Sequence, residues 1–260
     1  MNYQDTYNRT PFVVTFCSGK GGVGKSVIAA NLAYQMSKLG YKTLIWDSDS
    51  NFPNQHLILG VEPLVRLSDV YSGNVNIETA QYKVAENLFL LADSPASDEL
   101  KIDDKEGIIN VYEQLIRSDD FDLIIIDTPS GASAQTLQCC DLSDLIQVVV
   151  TDEPTSLLDS YALLKLLLKF ISESNINLLV NNAIDVEDAE EISTKFNLAT
   201  NKFLNANLEV TGFIPYDRAV RQSIVKQELF ILSEVESEVV VAIQKIAESI
   251  SSKIEIYETA

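Results

Sequence analysis

The sequence predicts a doubly wound α/β fold, a mostly parallel sheet with helices on both faces. Three observations carry this. Short, almost wholly apolar runs alternate with longer segments of helical apolar spacing, which is the pattern of strands buried on both sides between covering helices. Gly19, Asp47, Asp127, Thr151 and Asn181 fall at the ends of these strands, and ligands of such sheets sit beyond the carboxyl ends of the strands. One strand also runs directly into a glycine-rich loop that opens a helix.

The elements follow in order. Residues 1–10 are polar and read as a flexible leader; residues 11–260 read as a single domain, with 234–260 a C-terminal helix and tail. Phe12 to Cys17 is a buried strand. Val27 to Leu39 has helical spacing and stops at Gly40, a C-terminal cap. Strands are expected at Lys42 to Trp46, Leu88 to Leu91, Asp122 to Ile126, Leu145 to Val150, Ile176 to Val180 and Leu208 to Ile214. Helices are expected at Glu106 to Arg117, Pro154 to Ser172, Asp185 to Asn201, and near 217–228 and 234–252. Pro154 suits a helix start, where a missing N–H costs little.

The net charge of −19, from 38 acidic and 19 basic residues, opposes bare nucleic acid and anionic membrane alike. No run of Lys or Arg offsets it, so direct nucleic-acid binding is not expected. Cys139 and Cys140 are adjacent, hence poor partners for a structural disulfide, and with Cys17 they read as reduced, buried thiols. No apolar run approaches the roughly 18 residues that span a bilayer, and the leader lacks an apolar signal core, so a cytoplasmic protein is expected.

Gly19 to Ser26 satisfies G-x-x-x-x-G-K-[ST] between a strand and a helix, the context that a phosphate-binding loop requires. The glycines let successive backbone N–H groups converge on phosphate oxygens, and the helix N-terminus adds a favourable dipole. Gly19, Lys20, Gly21, Gly22, Val23, Gly24, Lys25, Ser26 and Val27 are the candidate nucleotide-binding residues of this segment. Lys25 would neutralise the β- and γ-phosphates and the Ser26 hydroxyl would ligate Mg²⁺. Asp127 follows an apolar strand as the carboxylate on the metal side. Asp47 is a second, bound either directly or through water, since Mg²⁺ keeps several waters and takes one or two carboxylates.

Lys20 is not needed for that cradle. Gly-Lys-Gly-Gly-Val-Gly-Lys-Ser, residues 19–26, resembles the deviant Walker A motif of the MinD/ParA family of P-loop NTPases. The resemblance implies an Mg²⁺-dependent ATPase that binds ATP and ADP and dimerises on ATP. It implies that Lys20 reaches the nucleotide of the other subunit, so that Lys20, Lys25 and Asp49 carry catalysis, Asp49 by positioning the attacking water. Asp127-Thr128-Pro129-Ser130-Gly131 is similar to the family's D-x-P-A-G, with Ser130 in place of a small apolar residue. By the same resemblance Asn181, Pro215 and Asp217 contact the adenine. The stretch Asp152 to Lys165 resembles E-P-T-x-x-x-D-[AS]-Y-x-L-[IL]-K of flagellar-number regulators. Two departures stand out. Asp49 to Asn54 lacks the usual Gly-Leu and carries Pro53, and the leader lacks the segment by which some such regulators stimulate a partner GTPase.

Val239, Ile243, Ile246, Ile250 and Ile254 recur at helical spacing. A membrane helix of the kind that ends MinD usually carries Lys or Arg on its polar face. Here Glu234, Glu236, Glu238, Glu248, Glu255 and Glu258 outnumber Lys245 and Lys253, so a helix packed on the sheet is preferred and membrane association is the lesser reading. The expected function is an ATP-switched dimeric regulator of flagellar number, placement or gene expression. Its expected partner is a flagellar transcription activator, a flagellar GTPase, or a switch or export component. A positioning or partition ATPase acting on membrane or nucleoid is the alternative. Lys20 speaks against a metabolic phosphotransferase.

Overall fold

The computed structural model describes residues 10–71, 73–92, 105–232 and 237–259. The expected leader, apart from residue 10, lies outside them, as do Glu234 and Glu236. In chain order the main elements are β1 (Phe12–Cys17), α1 (Lys25–Lys38), β2 (Thr43–Asp47), three short helices α2 (Gln55–Ile58), α3 (Leu67–Tyr71) and α4 (Ile77–Ala80), β3 (Tyr82–Ala85), β4 (Leu88–Leu91), α5 (Lys105–Ser118), β5 (Leu123–Asp127), α6 (Ala134–Asp141), β6 (Leu145–Val150), α7 (Pro154–Leu167), β7 (Ile176–Ala183), α8 (Val186–Leu204), β8 (Glu209–Pro215), α9 (Arg218–Lys226) and α10 (Glu238–Thr259).

The strands form one sheet in the order β3-β4-β2-β5-β1-β6-β7-β8, with every pairing parallel except β3 with β4. β1 lies in the interior, flanked by β5 and β6, and all six of its residues are buried. Alternate side chains of β1 serve opposite faces, as a pleated strand requires. Phe12, Val14 and Phe16 join a core with α1 and α10, while Val13 faces a core with α5 and Cys17 one with α7 and α8. Parallel pairing aligns Cys17, Asp47, Asp127 and Val150 at one end of the sheet, because Asp47 pairs with Asp127 and Phe16 with Asp127.

The last helix belongs to this core. Val239, Ile243, Ile246, Ile250 and Ile254 are all buried, against α1 and β8. Removing such side chains from water stabilises by roughly 1.5–3 kcal/mol each before ordering entropy. Lys253 bonds Glu209 at 2.8 Å and ties the helix to β8. Among the described residues no helix is long and apolar enough to cross a membrane.

Elements that differ from the sequence reading have identifiable causes. The helix expected to Ser172 ends at Leu167, and its apolar spacing carries on into turns held by Lys169 N–H to Leu166 O and Phe170 N–H to Leu167 O. Helix α6 was not expected: three of its five buried residues, Gln135, Thr136 and Gln138, are polar, and Cys139 and Cys140 alone give no apolar period to read. Strand β3 is a short edge strand of partly exposed residues joined to β4 by Glu86 and Asn87.

Candidate nucleotide site

The phosphate loop lies between β1 and α1 at the carboxyl end of the sheet. Gly24, the cap of α1, has φ 89°, a left-handed conformation that glycine adopts without the strain of a Cβ. Gly19 is required for another reason. A Cβ there would stand 2.1 Å from the Asp159 carbonyl carbon and 2.2 Å from the Ser160 nitrogen, so the loop rests directly on the backbone of α7. The Gly19 N–H donates to Ser160 Oγ at 3.2 Å.

A cleft of about 540 Å³ opens over the loop. It is lined by Gly21 through Val27, by the polar residues Asp49, Asn54, Thr128 and Ser130, and by apolar Leu57, Ile58 and Ile224. Lys25 and Asp127 form a buried ion pair on its floor. Asp47 is wholly buried and accepts backbone N–H groups from Asn54 at 2.7 Å and Gln55 at 2.9 Å on one oxygen, and from Asp49 at 3.2 Å on the other. Burial, and next the negative charge of Asp127, push the Asp47 carboxyl up to about 7, against the pull of these three N–H donors. Gln55, fully buried, donates its amide to the Ser26 carbonyl at 3.0 Å and to Asp127 Oδ2 at 2.8 Å.

This donor set fits a hard divalent cation. Two carboxylates stand close enough to raise one of them, and a hydroxyl lies at Ser26. Four buried side-chain polar atoms of the adjoining segment, Ser50 Oγ, Asn54 Oδ1, Gln55 Oε1 and His56 Nδ1, have no hydrogen-bond partner in the protein. No group of three His, Cys, Asp or Glu side chains suited to a metal occurs among the described residues.

The remaining site residues are placed as follows. Asp49 lines the cleft, and its Oδ1 accepts the N–H groups of Asn51 at 3.2 Å and Phe52 at 3.0 Å, closing a turn. Lys20 does not line the cleft. Its ammonium is ion-paired with Glu153 and bonds Thr155 Oγ1 at 2.9 Å at the start of α7. Asn181, at the end of β7, donates its amide to the Val23 carbonyl at 2.7 Å and so braces the phosphate loop from outside the cleft lining. Pro215 ends β8, and Asp217 caps α9 through the Ala219 N–H at 2.7 Å. Neither lines the cleft, although Ile224 and Gln227 beyond them do. The cysteines are free and buried, and burial pushes the Cys139 thiol up to about 12, so it is inert at neutral pH.

Sequence reasoning missed Gln55, Gln135 and the partners of Lys20. Gln135 binds the Ser48 carbonyl beside Asp47. Glu153 and Thr155 lie in the stretch that resembles flagellar-number regulators, which was the only signal pointing to them.

Comparison with known proteins places the chain in a family. The family described as "ParA: NUBPL iron-transfer P-loop NTPase" matches residues 10–251. The chain is 28% identical over 243 residues to the antiactivator FleN of Pseudomonas aeruginosa, covering 92% of this chain and 86% of that protein. It is 28% identical over 215 residues to the flagellum site-determining protein YlxH of Helicobacter pylori, covering 82% and 72%. Among solved structures, the MinC:MinD cell division protein complex of Aquifex aeolicus superposes with a TM-score of 0.76 at 27% identity, covering 93% of this chain and 96% of that one. With the family matched over nearly the whole chain, the phosphate loop in its strand–loop–helix setting and paired carboxylates beneath the cleft, the chain belongs to the ParA/MinD family of P-loop ATPases.

Proposed function

We propose that the chain is an Mg²⁺-dependent ATPase that works as an ATP-switched dimer and regulates flagellar number, placement or gene expression. The observation that carries this reading is the position of Lys20, outside the cleft that its own loop encloses and held at the molecular rim by Glu153 and Thr155. A lysine so placed suits the nucleotide of a second subunit better than that of its own. The flagellar assignment is supported by the likeness to FleN and YlxH over most of the chain.

In this reading the N–H groups of Gly21 to Ser26 and the start of α1 bind the phosphates. Lys25 turns from Asp127 to the β- and γ-phosphates, which leaves the Asp127 and Asp47 carboxylates and the Ser26 hydroxyl to hold Mg²⁺. The ion, when bound, neutralises phosphate charge as it develops. Asp49 orients the attacking water, and Lys20 of each subunit stabilises charge at the neighbour's γ-phosphate. Asn181, Pro215 and Asp217, at the adjoining ends of β7 and β8, flank the adenine.

The partner proposed first is a flagellar transcription activator; a flagellar GTPase or a switch or export component would use the same nucleotide-dependent surface. Light scattering should give twice the monomer mass with ATP and the monomer mass with ADP, and a purified flagellar activator should bind only the ATP form. Equal mass in both nucleotides would refute the switch, and equal activator binding would refute the flagellar role. The likeness to a MinD supports a positioning ATPase as the second reading. ATP-dependent sedimentation with anionic liposomes would favour it, whereas the burial of the apolar stripe of α10 in the core argues against it.

A further inference from the structure

We propose that Gln55 is a positioning residue for the divalent cation, fixing the Asp127 carboxylate with its amide nitrogen and offering its amide oxygen to the water shell of the ion. The inference rests on the Mg²⁺–ATP reading given above and deepens it, because nothing in the phosphate-loop motif calls for a residue here.

The orientation of the Gln55 amide is dictated by its partners. The Ser26 carbonyl and the Asp127 carboxylate are both acceptors, so the group facing them at 3.0 Å and 2.8 Å has to be the NH₂. The amide oxygen is then left over. It is buried and has no protein partner, while Gln55 as a whole is 0% exposed. A buried amide oxygen without a donor is costly and uncommon in a folded protein. None of the groups gathered at this point donates to it. The Asn54 and Gln55 N–H groups are taken by Asp47, and the Lys25 ammonium is ion-paired with Asp127. A donor that does suit the place is water held by a hydrated cation, since Mg²⁺ keeps several of its waters when bound by one or two carboxylates.

The backbone at this position supports the same role. The Asn54 and Gln55 N–H groups cap one oxygen of Asp47, and the Gln55 side chain holds one oxygen of Asp127. One short segment therefore fixes both carboxylates of the site, and it carries a second unpaired buried acceptor, Asn54 Oδ1, at the cleft wall. If Gln55 served only to fill space, an aliphatic side chain of equal length would pack there without leaving an unsatisfied oxygen.

The experiment is ATP binding by calorimetry for the parent chain, Gln55→Met and Gln55→Glu, in EDTA and across an Mg²⁺ titration. Met keeps the length but neither donates nor accepts a conventional hydrogen bond. Glu keeps the one amide oxygen, replaces the donating NH₂ by a second oxygen and adds a charge that a cation would neutralise. Gln55→Met should match the parent in EDTA and need about tenfold more Mg²⁺ to reach its tight-binding state. Gln55→Glu should reach that state at less Mg²⁺ than the parent. A Met variant with the parent's Mg²⁺ midpoint, or one weakened equally in EDTA and Mg²⁺, overturns the proposal, because a purely structural role acts without regard to the ion. Should the Met variant not fold, the Glu variant decides alone, and a midpoint at or above the parent's overturns the proposal. A parent chain whose ATP affinity ignores Mg²⁺ would overturn the Mg²⁺–ATP reading itself, an outcome visible before either variant is measured.

Discussion

Asp47→Asn should stabilise the nucleotide-free protein, and increasingly so as pH rises. Asp47 is 1% exposed and its carboxyl is pushed from 3.8 up to about 7 by burial and by Asp127. The folded state thus holds the proton more tightly than the unfolded chain. The corresponding stability is fully present below about pH 4 and is lost as pH rises through about 7. A rise of roughly three units corresponds to about 4 kcal/mol once the group is fully ionised, of which about 2 kcal/mol is lost between about pH 5.5 and about pH 8. Asparagine keeps an oxygen to accept the Asn54 and Gln55 N–H groups but turns an NH₂ toward the Asp49 N–H, which donates to an Asp47 oxygen in the parent. That mismatch is independent of pH and cancels when the two pH values are compared. Urea unfolding in EDTA should show the stability gap between variant and parent widening by about 2 kcal/mol from the lower to the higher pH. Parallel stability–pH curves for the two proteins would refute a strained, partly protonated Asp47.

Lys25→Ala should abolish ATP binding by calorimetry, and it should also melt lower, because it leaves Asp127 buried without its cation, a loss of about 3–5 kcal/mol. Lys20→Ala should keep ADP affinity but weaken the ATP-dependent dimer in light scattering, while Glu153→Ala, which releases Lys20, should strengthen it; identical masses for all three proteins would refute a cross-subunit lysine. Asp49→Asn should retain ATP and Mg²⁺ binding yet slow phosphate release in a turnover assay, since the amide oxygen still closes the turn at Asn51 and Phe52 while the carboxylate is lost. Ile250→Ala should cost about 2–5 kcal/mol in urea unfolding, because Ile250 is wholly buried between α10 and the sheet.

What could be read in the sequence was what repeats or has a fixed spacing. The strands from Phe12 to Cys17 and from Leu123 to Asp127 are apolar on both faces, and the loop between Gly19 and Ser26 has one residue type at each required place. The packed last helix was legible for the same reason, since Val239, Ile243, Ile246, Ile250 and Ile254 make one stripe. Helix α6 was not legible. Its buried face mixes Gln135, Thr136 and Gln138 with Cys139 and Cys140, and the partner of Gln135, the Ser48 carbonyl, lies far along the chain. The role of Gln55 was hidden likewise, because a single polar residue opening a four-residue helix carries no period, and its meaning arises only when β2 and β5 bring Asp47 and Asp127 together. Lys20 was visible as an extra lysine, but the glutamate that holds it is 133 residues away.

The contact of Gly19 with α7 makes the loop and the helix a single lever. With no side chain between the loop and the Asp159–Ser160 backbone, there is no soft layer to absorb a displacement. The far side of this stretch of α7 faces outward, with Leu158 67% exposed. Lys20 is held by Glu153 and Thr155 at the start of the same helix, so the outward surface at Leu158, the first residue of the phosphate loop and this lysine all meet on α7. A protein bound at that surface would stand one helix backbone away from the phosphate loop.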